Sequence, residues 1–376
     1  MFSEKELNEK FNSEYSKLEK EIDKPNILII GGTGVGKSSL INKIFGEEIS
    51  KVSNVKPETR GINTYNHNDV VLLDTEGFEL GDDKNKFFEE KIINEVENRK
   101  KGPEKNQIHL IWHLISASSE RITDYDVNLL NKLQSFGLPI AVVFTKSDIA
   151  NEEAMDNMVK RLFPKLTFND AFKNKEKSPF FVSSTEDEDE SLSPINLINW
   201  SIEKLPEGLK YAFTASQILN YEAKFNQAKS IINQHTLGNS SVGFSPIPFS
   251  DAPILIASQI GMITRIIKLY NLSELNIDSF MASTGAGLVV SNLAKSVVGS
   301  VFKFIPGIGT VVGGIINALV AGTITFSMGT ALNILLRKIT IEYLKGDIEK
   351  VASSLSNFSE LFKNQFGEEF KKKYSK

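Results

Sequence analysis

The stretch that decides the fold is Gly31-Gly32-Thr33-Gly34-Val35-Gly36-Lys37-Ser38. A buried strand is predicted over 26–31 and a helix over 37–45, so the stretch joins a strand to a helix. Glycines let the backbone fold closely around a phosphate chain and point several N–H groups at it, and the helix N-terminus adds partial positive charge. The pattern is that of a phosphate-binding loop, in which Lys37 reaches the β- and γ-phosphates and the Ser38 hydroxyl binds Mg²⁺.

From about residue 25 to residue 205, short apolar runs alternate with amphipathic stretches. This alternation predicts an α/β fold of the P-loop NTPase class, a doubly wound sheet with flanking helices. Residues 67–69 are the predicted tight turn of its one antiparallel hairpin. Strands are predicted over 26–31, 62–67, 69–74, 108–115, 139–145 and 179–183, and helices over 37–45, 86–99, 123–136, 152–162 and 192–204.

Two further motifs follow the loop in the order expected of a guanine-nucleotide site. Residues 74–77 (DTEG) end a predicted strand, where Asp74 would hold Mg²⁺ through water and the Gly77 N–H would sense the γ-phosphate. Residues 145–148 (TKSD) end another strand. Asp148 can accept hydrogen bonds from guanine N1–H and from its exocyclic amine, which adenine does not offer at these positions, so GTP is favoured over ATP. Lys146 would lie along the base.

Two segments complete the predicted site. Thr59 is the predicted switch threonine that binds Mg²⁺ and closes over the γ-phosphate, with Thr64 as the alternative, and Ser183-Ser184 would offer a backbone N–H to guanine O6. The predicted cofactors are GTP or GDP with Mg²⁺. Catalytic roles are assigned to Lys37, Thr59 and Gly77, and metal ligation to Ser38, Thr59 and Asp74. Nucleotide contacts are assigned to Gly31, Gly32, Thr33, Gly34, Val35, Gly36, Lys37, Ser38, Ser39, Thr145, Lys146, Asp148, Ser183 and Ser184.

The character of the chain changes after residue 205. One long helix is predicted over 207–235 and a linker rich in Gly, Ser and Pro over 236–250, and no Asp, Glu, Lys or Arg occurs between Lys303 and Arg337. The predicted organisation is an N-terminal amphipathic helix (1–24), a GTPase domain (25–205), a helix and linker (206–250) and an apolar helical domain (251–376).

Three interpretations of the second half stay open. Residues 304–336 are long enough to span a bilayer, which takes roughly 20 apolar residues, yet Asn317 and Asn333 interrupt them. In the first interpretation they are a buried core helix of a soluble all-α domain, and in the second they insert into a membrane or associate with it reversibly. In the third, the helical half is a regulatory switch that docks a protein partner.

Length, net charge and cysteine content limit the kinds of function that the chain can have. A length of 376 residues favours two or more domains, and a net charge of −4 gives no signal for nucleic-acid binding. The absence of cysteine excludes disulfides and thiolate metal sites. His109 and His113 lie four residues apart in a predicted strand, a spacing that does not make a helical metal site. The charged N-terminus has no apolar signal-peptide core, so the expected location is the cytoplasm, with attachment to the inner face of a membrane left open.

With these motifs in order, residues 25–205 resemble a small GTPase domain of the Era-like, septin-related kind. The stretch 74–78 (DTEGF) also resembles the switch of dynamin-class GTPases. Residues 246–253 (PIPFSDAP) and 259–263 (QIGMI) resemble the YcjF-like apolar helical domain. The resemblance implies a GTPase whose nucleotide state controls its helical domain for self-association or membrane contact, with a homodimer through the GTPase domain among its partners.

The sequence departs from these families at two positions. Phe78 stands where Ras-like enzymes carry a water-orienting Gln, and a phenyl ring cannot polarise water, so slow intrinsic hydrolysis is expected. Glu76, Arg60 or a residue supplied in trans are the alternatives for water activation. Gly34 stands where potassium-stimulated Era-like enzymes carry Asn, which argues against activation by potassium. A nucleotide-binding structural or partner-docking protein with negligible turnover is therefore the alternative function.

Overall fold

A computed structural model describes residues 4–46, 62–75, 82–183, 190–237, 252–271, 297, 299–301 and 318–374. The chain divides into two compact units. The sheet unit is Asp23–Leu219, and the helical unit is Met1–Ile22 together with Asn220–Lys376. The first helix, α1 (Glu4–Glu21), therefore belongs to the helical unit. The domain boundaries predicted from composition stay a prediction.

The sheet unit alternates strands and helices along the chain. Its strands are β1 (Asn26–Ile30), β2 (Ile62–His67), β3 (Val70–Thr75), β4 (Leu110–Ser116), β5 (Ile140–Thr145) and β6 (Phe180–Val182). Its α-helices are α2 (Lys37–Phe45), α3 (Asp82–Lys101), α4 (Asp124–Gln134), α5 (Glu152–Leu162), α6 (Phe168–Lys173), α7 (Ile195–Lys204) and α8 (Glu207–Ser216).

The described strands form one six-stranded sheet in the order β2-β3-β1-β4-β5-β6. The β2–β3 pair is antiparallel and the other neighbours are parallel, which confirms the predicted doubly wound α/β fold and its single hairpin. Strand β1 lies between β3 and β4, so the strand order changes direction at β1. Ligands of such sheets bind at the carboxyl ends of the strands beside this reversal, which is where residues 31–36 lie.

An aromatic cluster fixes helix α2 against the sheet. The rings of Phe45 and Trp112 stack with centroids 6.1 Å apart, and Phe213 meets them edge-on at 6.0 and 6.4 Å. All three side chains are buried, and the Trp112 indole N–H donates to Ser201 Oγ at 3.1 Å. Because α2 begins at the phosphate-binding loop, this packing also sets the position of the loop.

The prediction of a single long helix over 207–235 is wrong, because two helices occupy this range. Helix α8 ends at Ser216, and α9 (Tyr221–Leu237) begins five residues later. Gln217 is extended, with φ −76° and ψ 149°, and the Asn220 side chain accepts a hydrogen bond from the Ala223 N–H at 2.9 Å. The Asn220 side chain therefore starts a new helix, since it satisfies a backbone donor in the first turn of α9.

The helical unit consists of packed helices with a partly polar interior. The Tyr270 hydroxyl donates to Asn333 Oδ1 at 2.7 Å, and Asn333 Nδ2 donates to the Phe225 carbonyl oxygen at 3.1 Å. Helix α1 buries Leu7 and Phe11. Besides α1 and α9, its described α-helices are α10 (Ala252–Tyr270), α11 (Ala318–Leu344), α12 (Ile348–Ser356) and α13 (Phe358–Tyr374).

Part of the charge-free stretch lies outside the described residues. Residues 304–317 and the predicted linker from 238 to 250 are among these, whereas residues 318–336 lie in α11. Within the described part of the chain, no helix combines the length and the apolar character that a membrane crossing requires.

Candidate nucleotide-binding site

Backbone geometry makes glycine necessary at both ends of the phosphate-binding loop. Gly36, directly before α2, has φ 99° and ψ 20°, in the left-handed region that glycine adopts without strain. At Gly31, a Cβ atom would lie 2.7 Å from the Leu114 carbonyl oxygen and 2.8 Å from Val35 Cγ2. The loop therefore turns tightly and lies against β4.

Lys37 is enclosed by the loop that it follows. Its Nζ donates to the carbonyl oxygens of Gly31 at 2.8 Å and Gly32 at 3.1 Å, and the residue is only 8% exposed. Burial lowers the pKa of Lys37, while the negative charge of Asp74 acts in the opposite direction. The ammonium is thus held at the inner side of the loop, where phosphate oxygens of a nucleotide would replace carbonyl partners.

Asp74 lies opposite Ile29 in the β1–β3 pairing and is 8% exposed. Burial raises the pKa of its carboxyl to about 6, although the charge of Lys37 lowers it. Its Oδ1 atom is buried and has no hydrogen-bond partner among the described residues. A buried carboxylate oxygen in this state fits a bound cation and its waters, because Mg²⁺ prefers oxygen ligands and keeps several waters.

Among the remaining predicted metal and switch residues, some lie in described elements and others lie outside the described residues. Ser38 and Ser39 are exposed in the first turn of α2. Thr59 and Gly77 lie outside the described residues, as do Glu76 and Phe78. Thr64, the alternative to Thr59, lies within β2 opposite Leu73, so its backbone is part of the hairpin.

The predicted base-recognition motif is hydrogen-bonded to the phosphate-binding loop. Thr145 Oγ1 donates to the Val35 carbonyl oxygen at 2.5 Å, and Lys146 Nζ donates to that of Gly34 at 2.9 Å. Lys146 itself has φ 56°, which turns the chain sharply out of β5. The half-buried Asp148 follows in a short turn. The structure therefore brings residues 31–38 and 145–148 together.

Ser183 is placed by a contact that the sequence did not predict. Its backbone N–H donates to the Leu192 carbonyl oxygen at 3.1 Å, and the residue is buried. A backbone contact to guanine O6 from this segment would then have to come from Ser184, which lies outside the described residues.

The motifs predicted from the sequence do not include a serine-rich turn that lies at the same end of the sheet as residues 145–148. Residues 117–119, directly after β4, pack against the turn of residues 147–149. The Ser119 hydroxyl donates to the Ser116 carbonyl oxygen at 2.7 Å, and the Ser116 and Ser118 hydroxyl oxygens lie 2.9 Å apart. Small polar residues directly after a predicted strand were the available signal.

His109, directly before β4, and His113, within it, both make contacts within the fold. His109 Nδ1 accepts from the Asn26 N–H at 2.9 Å, and the buried His113 ring lies 3.8 Å from the Asp126 carboxylate. In the described part of the chain, no group of three or more His, Cys, Asp or Glu side chains could hold a metal ion.

Comparison with known proteins shows what the sheet unit is similar to. Residues 26–146 match a family model described as 50S ribosome-binding GTPase. These residues therefore resemble a GTPase domain of that family. GTPase Era of Vibrio vulnificus (strain YJ016) is 30% identical over 151 residues, which cover 38% of this chain and 44% of Era. GTPase Era of Actinobacillus pleuropneumoniae serotype 5b is 32% identical over 131 residues, which cover 34% and 40%. The chain thus spans less than half the length of these relatives.

Solved structures give more distant likenesses. A probable GTP-binding protein, engB, matches with a TM-score of 0.37 and 17% identity, covering 47% of this chain and 99% of engB. Toc33 from Arabidopsis thaliana, in complex with Mg²⁺ and GMPPNP, matches with a TM-score of 0.30 and 16% identity, covering 59% and 93%. The family match ends at residue 146, so the YcjF-like character of the second half stays a prediction.

The raised pKa of Asp74 predicts how its replacement changes stability with pH. The folded pKa of about 6 exceeds the ordinary value of 3.8, so the stability from protonation is complete below 3.8 and is lost as the pH rises through 6. Asp74→Asn resembles the protonated form. In urea unfolding without nucleotide or Mg²⁺, the variant should equal the wild type below pH 4 and be more stable at pH 8, by up to about 3 kcal/mol.

Asp126 supplies a matched control in the same unit. Burial alone would raise its pKa, but the nearby His113 and the hydroxyl and N–H of Thr123 outweigh burial and lower it. Asp126→Asn should therefore be less stable than the wild type at pH 8. Loss of stability at pH 8 in Asp74→Asn as well would contradict the account of its carboxylate.

Proposed function

We propose that this protein binds GTP and GDP with Mg²⁺, hydrolyses GTP, and uses its nucleotide state to control the helical unit for self-association or membrane contact. One observation carries the nucleotide assignment. Thr145 and Lys146 hydrogen-bond to the carbonyl oxygens of Val35 and Gly34, which supports the proposal that the phosphate-side and base-side motifs belong to a single site. A glycine-rich turn without a ligand would not need this connection.

The phosphate side is assigned from its donors. The N–H groups of the loop, the N-terminus of α2 and the Lys37 ammonium would hold the phosphates. Ser38 and Asp74 would hold Mg²⁺, with Thr59 from the preceding segment completing the ligands. When bound, the metal neutralises charge on the β- and γ-phosphates. Gly77 would donate its N–H to the γ-phosphate and so distinguish GTP from GDP.

The base side is assigned from hydrogen-bond complementarity. The Asp148 carboxylate accepts at two oxygens, which matches the N1–H and amine donors of guanine. Discrimination of this kind is strong, because the wrong base leaves buried polar groups unpaired. An ATP-using kinase or ATPase on the same fold is disfavoured for this reason.

A second function is supported by Phe78. If no side chain orients the attacking water, the chain would hold its nucleotide as a structural or partner-docking protein with negligible turnover. Water activation by a second copy of the chain reconciles Phe78 with hydrolysis, and a homodimer through the GTPase domain would provide it. The helical unit, including residues 251–376, would contact a protein partner or lipid.

Asp148→Asn tests the base assignment. An amide can accept only one of the two guanine hydrogen bonds and leaves the other donor facing an NH₂ group, so GDP should bind at least about tenfold more weakly. The measurement is calorimetric titration with GDP and Mg²⁺. Asp124→Asn, an exposed carboxylate bonded to Arg161, is the matched control and should bind as the wild type does. Wild-type affinity in Asp148→Asn would overturn the assignment.

Hydrolysis should depend on assembly. Turnover per monomer is expected to be slow in dilute protein and to rise with protein concentration or added lipid, since residues supplied in trans contribute ~10³–10⁵ in rate in other GTPases. Phosphate release is measured over a dilution series, with Lys37→Ala as the inactive control. Rapid turnover that stays constant on dilution and on addition of lipid would exclude activation by assembly.

A further inference from the structure

The β2–β3 hairpin places a second polar side chain beside Asp74. Asn63 of β2 lies directly opposite Asp74 of β3 in the antiparallel register. Residues opposite each other in such a pair project to the same face of the sheet, with Cβ atoms about 4.5–5.5 Å apart. The Asn63 side chain is therefore a neighbour of the carboxylate whose Oδ1 atom has no hydrogen-bond partner among the described residues.

Asn63 and Asp74 project to the face of the sheet that helix α2 covers. Two residues after Asn63, Tyr65 lies opposite Leu72, and both are buried in one cluster with Phe45 of α2. Side chains two residues apart along a strand share a face, so Asn63 and Asp74 lie on the same side of the sheet as this cluster. Helix α2 begins on that side at residues 37–38, the predicted phosphate and metal contacts.

Thr64, the neighbouring polar residue of β2, projects to the opposite face. It lies opposite Leu73, which is buried in a cluster with Ile62 and with Ile92 of α3. Of these two adjacent polar residues, Asn63 is therefore the one that shares a face with Asp74.

The side chain of Asn63 is held by Tyr65. The two side chains are hydrogen-bonded, and Tyr65 is 8% exposed, whereas Asn63 is half-buried. Burial and the charge of Asp74 raise the pKa of the Tyr65 hydroxyl, while the hydrogen bond with Asn63 lowers it. A bond that lowers the pKa of a phenol is donated to its oxygen, so the Asn63 NH₂ group is the donor. This leaves the amide oxygen of Asn63 as an acceptor.

A polar residue in an edge strand is often no more than a solvated side chain that keeps the edge from pairing. Asn66 of the same strand fits that description, since it is exposed and lies opposite Val71. Asn63 differs in two respects. It lies opposite a buried carboxylate, and a buried hydroxyl fixes its amide.

We propose that Asn63 is a positioning residue of the metal site and that Tyr65 fixes its orientation. This inference rests on the proposed function, because it concerns the Mg²⁺ ion assigned to Ser38 and Asp74. Protein-bound Mg²⁺ keeps several waters, and such waters donate hydrogen bonds. The Asn63 amide oxygen accepts from a water that Asp74 also holds, so the carboxylate keeps one orientation. Groups that orient metal ligands in this way typically contribute about 10–100-fold to metal affinity.

The test is calorimetric titration of the full chain with GDP, in EDTA and at a series of Mg²⁺ concentrations. GDP is the probe because it is not hydrolysed. The Mg²⁺ concentration that gives half of the gain in GDP affinity measures the metal site, and the affinity in EDTA measures the rest of the nucleotide site. Asn63→Ala removes the amide, and Tyr65→Phe removes only the hydroxyl. Asn66→Ala is the matched control, with the same substitution at an exposed position of the same strand.

Asn63→Ala should raise the half-maximal Mg²⁺ concentration by about tenfold or more. Tyr65→Phe should raise it by about threefold or more, since the hydroxyl acts through Asn63. Both variants should bind GDP in EDTA as the wild type does, a result that general damage to the fold would not give. Asn66→Ala should equal the wild type throughout. Tyr65→Phe keeps the buried ring, so it carries the test if Asn63→Ala does not fold.

Three results would overturn the positioning role. They are a wild-type response to Mg²⁺ in Asn63→Ala or in Tyr65→Phe, an equal loss of GDP affinity with and without Mg²⁺ in these variants, and the same change in Asn66→Ala. Failure of the wild type to bind GDP, or binding that Mg²⁺ does not strengthen, would instead reject the proposed function, and the role of Asn63 with it.

Discussion

The rest of the site depends on the hydrogen bonds that hold the buried ammonium of Lys37. A buried cation is costly unless it is paired or hydrogen-bonded, and here two loop carbonyls and the nearby Asp74 supply the compensation. Burial in the same environment raises the pKa of the Asp74 carboxyl, and one of its carboxylate oxygens has no hydrogen-bond partner among the described residues. A polyphosphate and Mg²⁺ would supply what each of these groups lacks, an anion for Lys37 and a cation for Asp74.

The fold brings these groups together from distant parts of the chain. The β1–β3 pairing sets Asp74 beside Ile29, two residues before the loop begins. Thr145 bonds to the loop itself from the end of β5, and the packing of Phe45 on Trp112 fixes the helix that follows the loop. The site is therefore built on the rigid edge of a sheet, which suits recognition of a ligand of fixed length between phosphate and base.

Much of this could be predicted because its causes are local. Glycines at 31, 34 and 36, the Lys-Ser pair and the alternating apolar runs specify the loop, the strands and the hairpin from a few neighbouring residues. Other features depend on contacts that a sequence pattern does not show. The break between α8 and α9 depends on the Asn220 cap, α6 on the Thr167 cap, and the Ser183 N–H on the Leu192 carbonyl oxygen. The apolar face of α1 was evident, but the periodicity could not show that α10 covers it. Thr59, Gly77 and Ser184 lie outside the described residues, so their roles stay predictions.

The most direct test of the central claim is competitive titration of the wild-type protein with GTP and ATP analogues in the presence of Mg²⁺. If the groups around Lys37 and Asp148 form one site, the guanine analogue should bind at least about 100-fold more tightly, since two base hydrogen bonds are each worth roughly 1–3 kcal/mol. Removal of Mg²⁺ should weaken that binding. Equal affinity for the two analogues, or binding that does not depend on Mg²⁺, would contradict the assignment of residues 31–38, 74 and 145–148 to one guanine-nucleotide site.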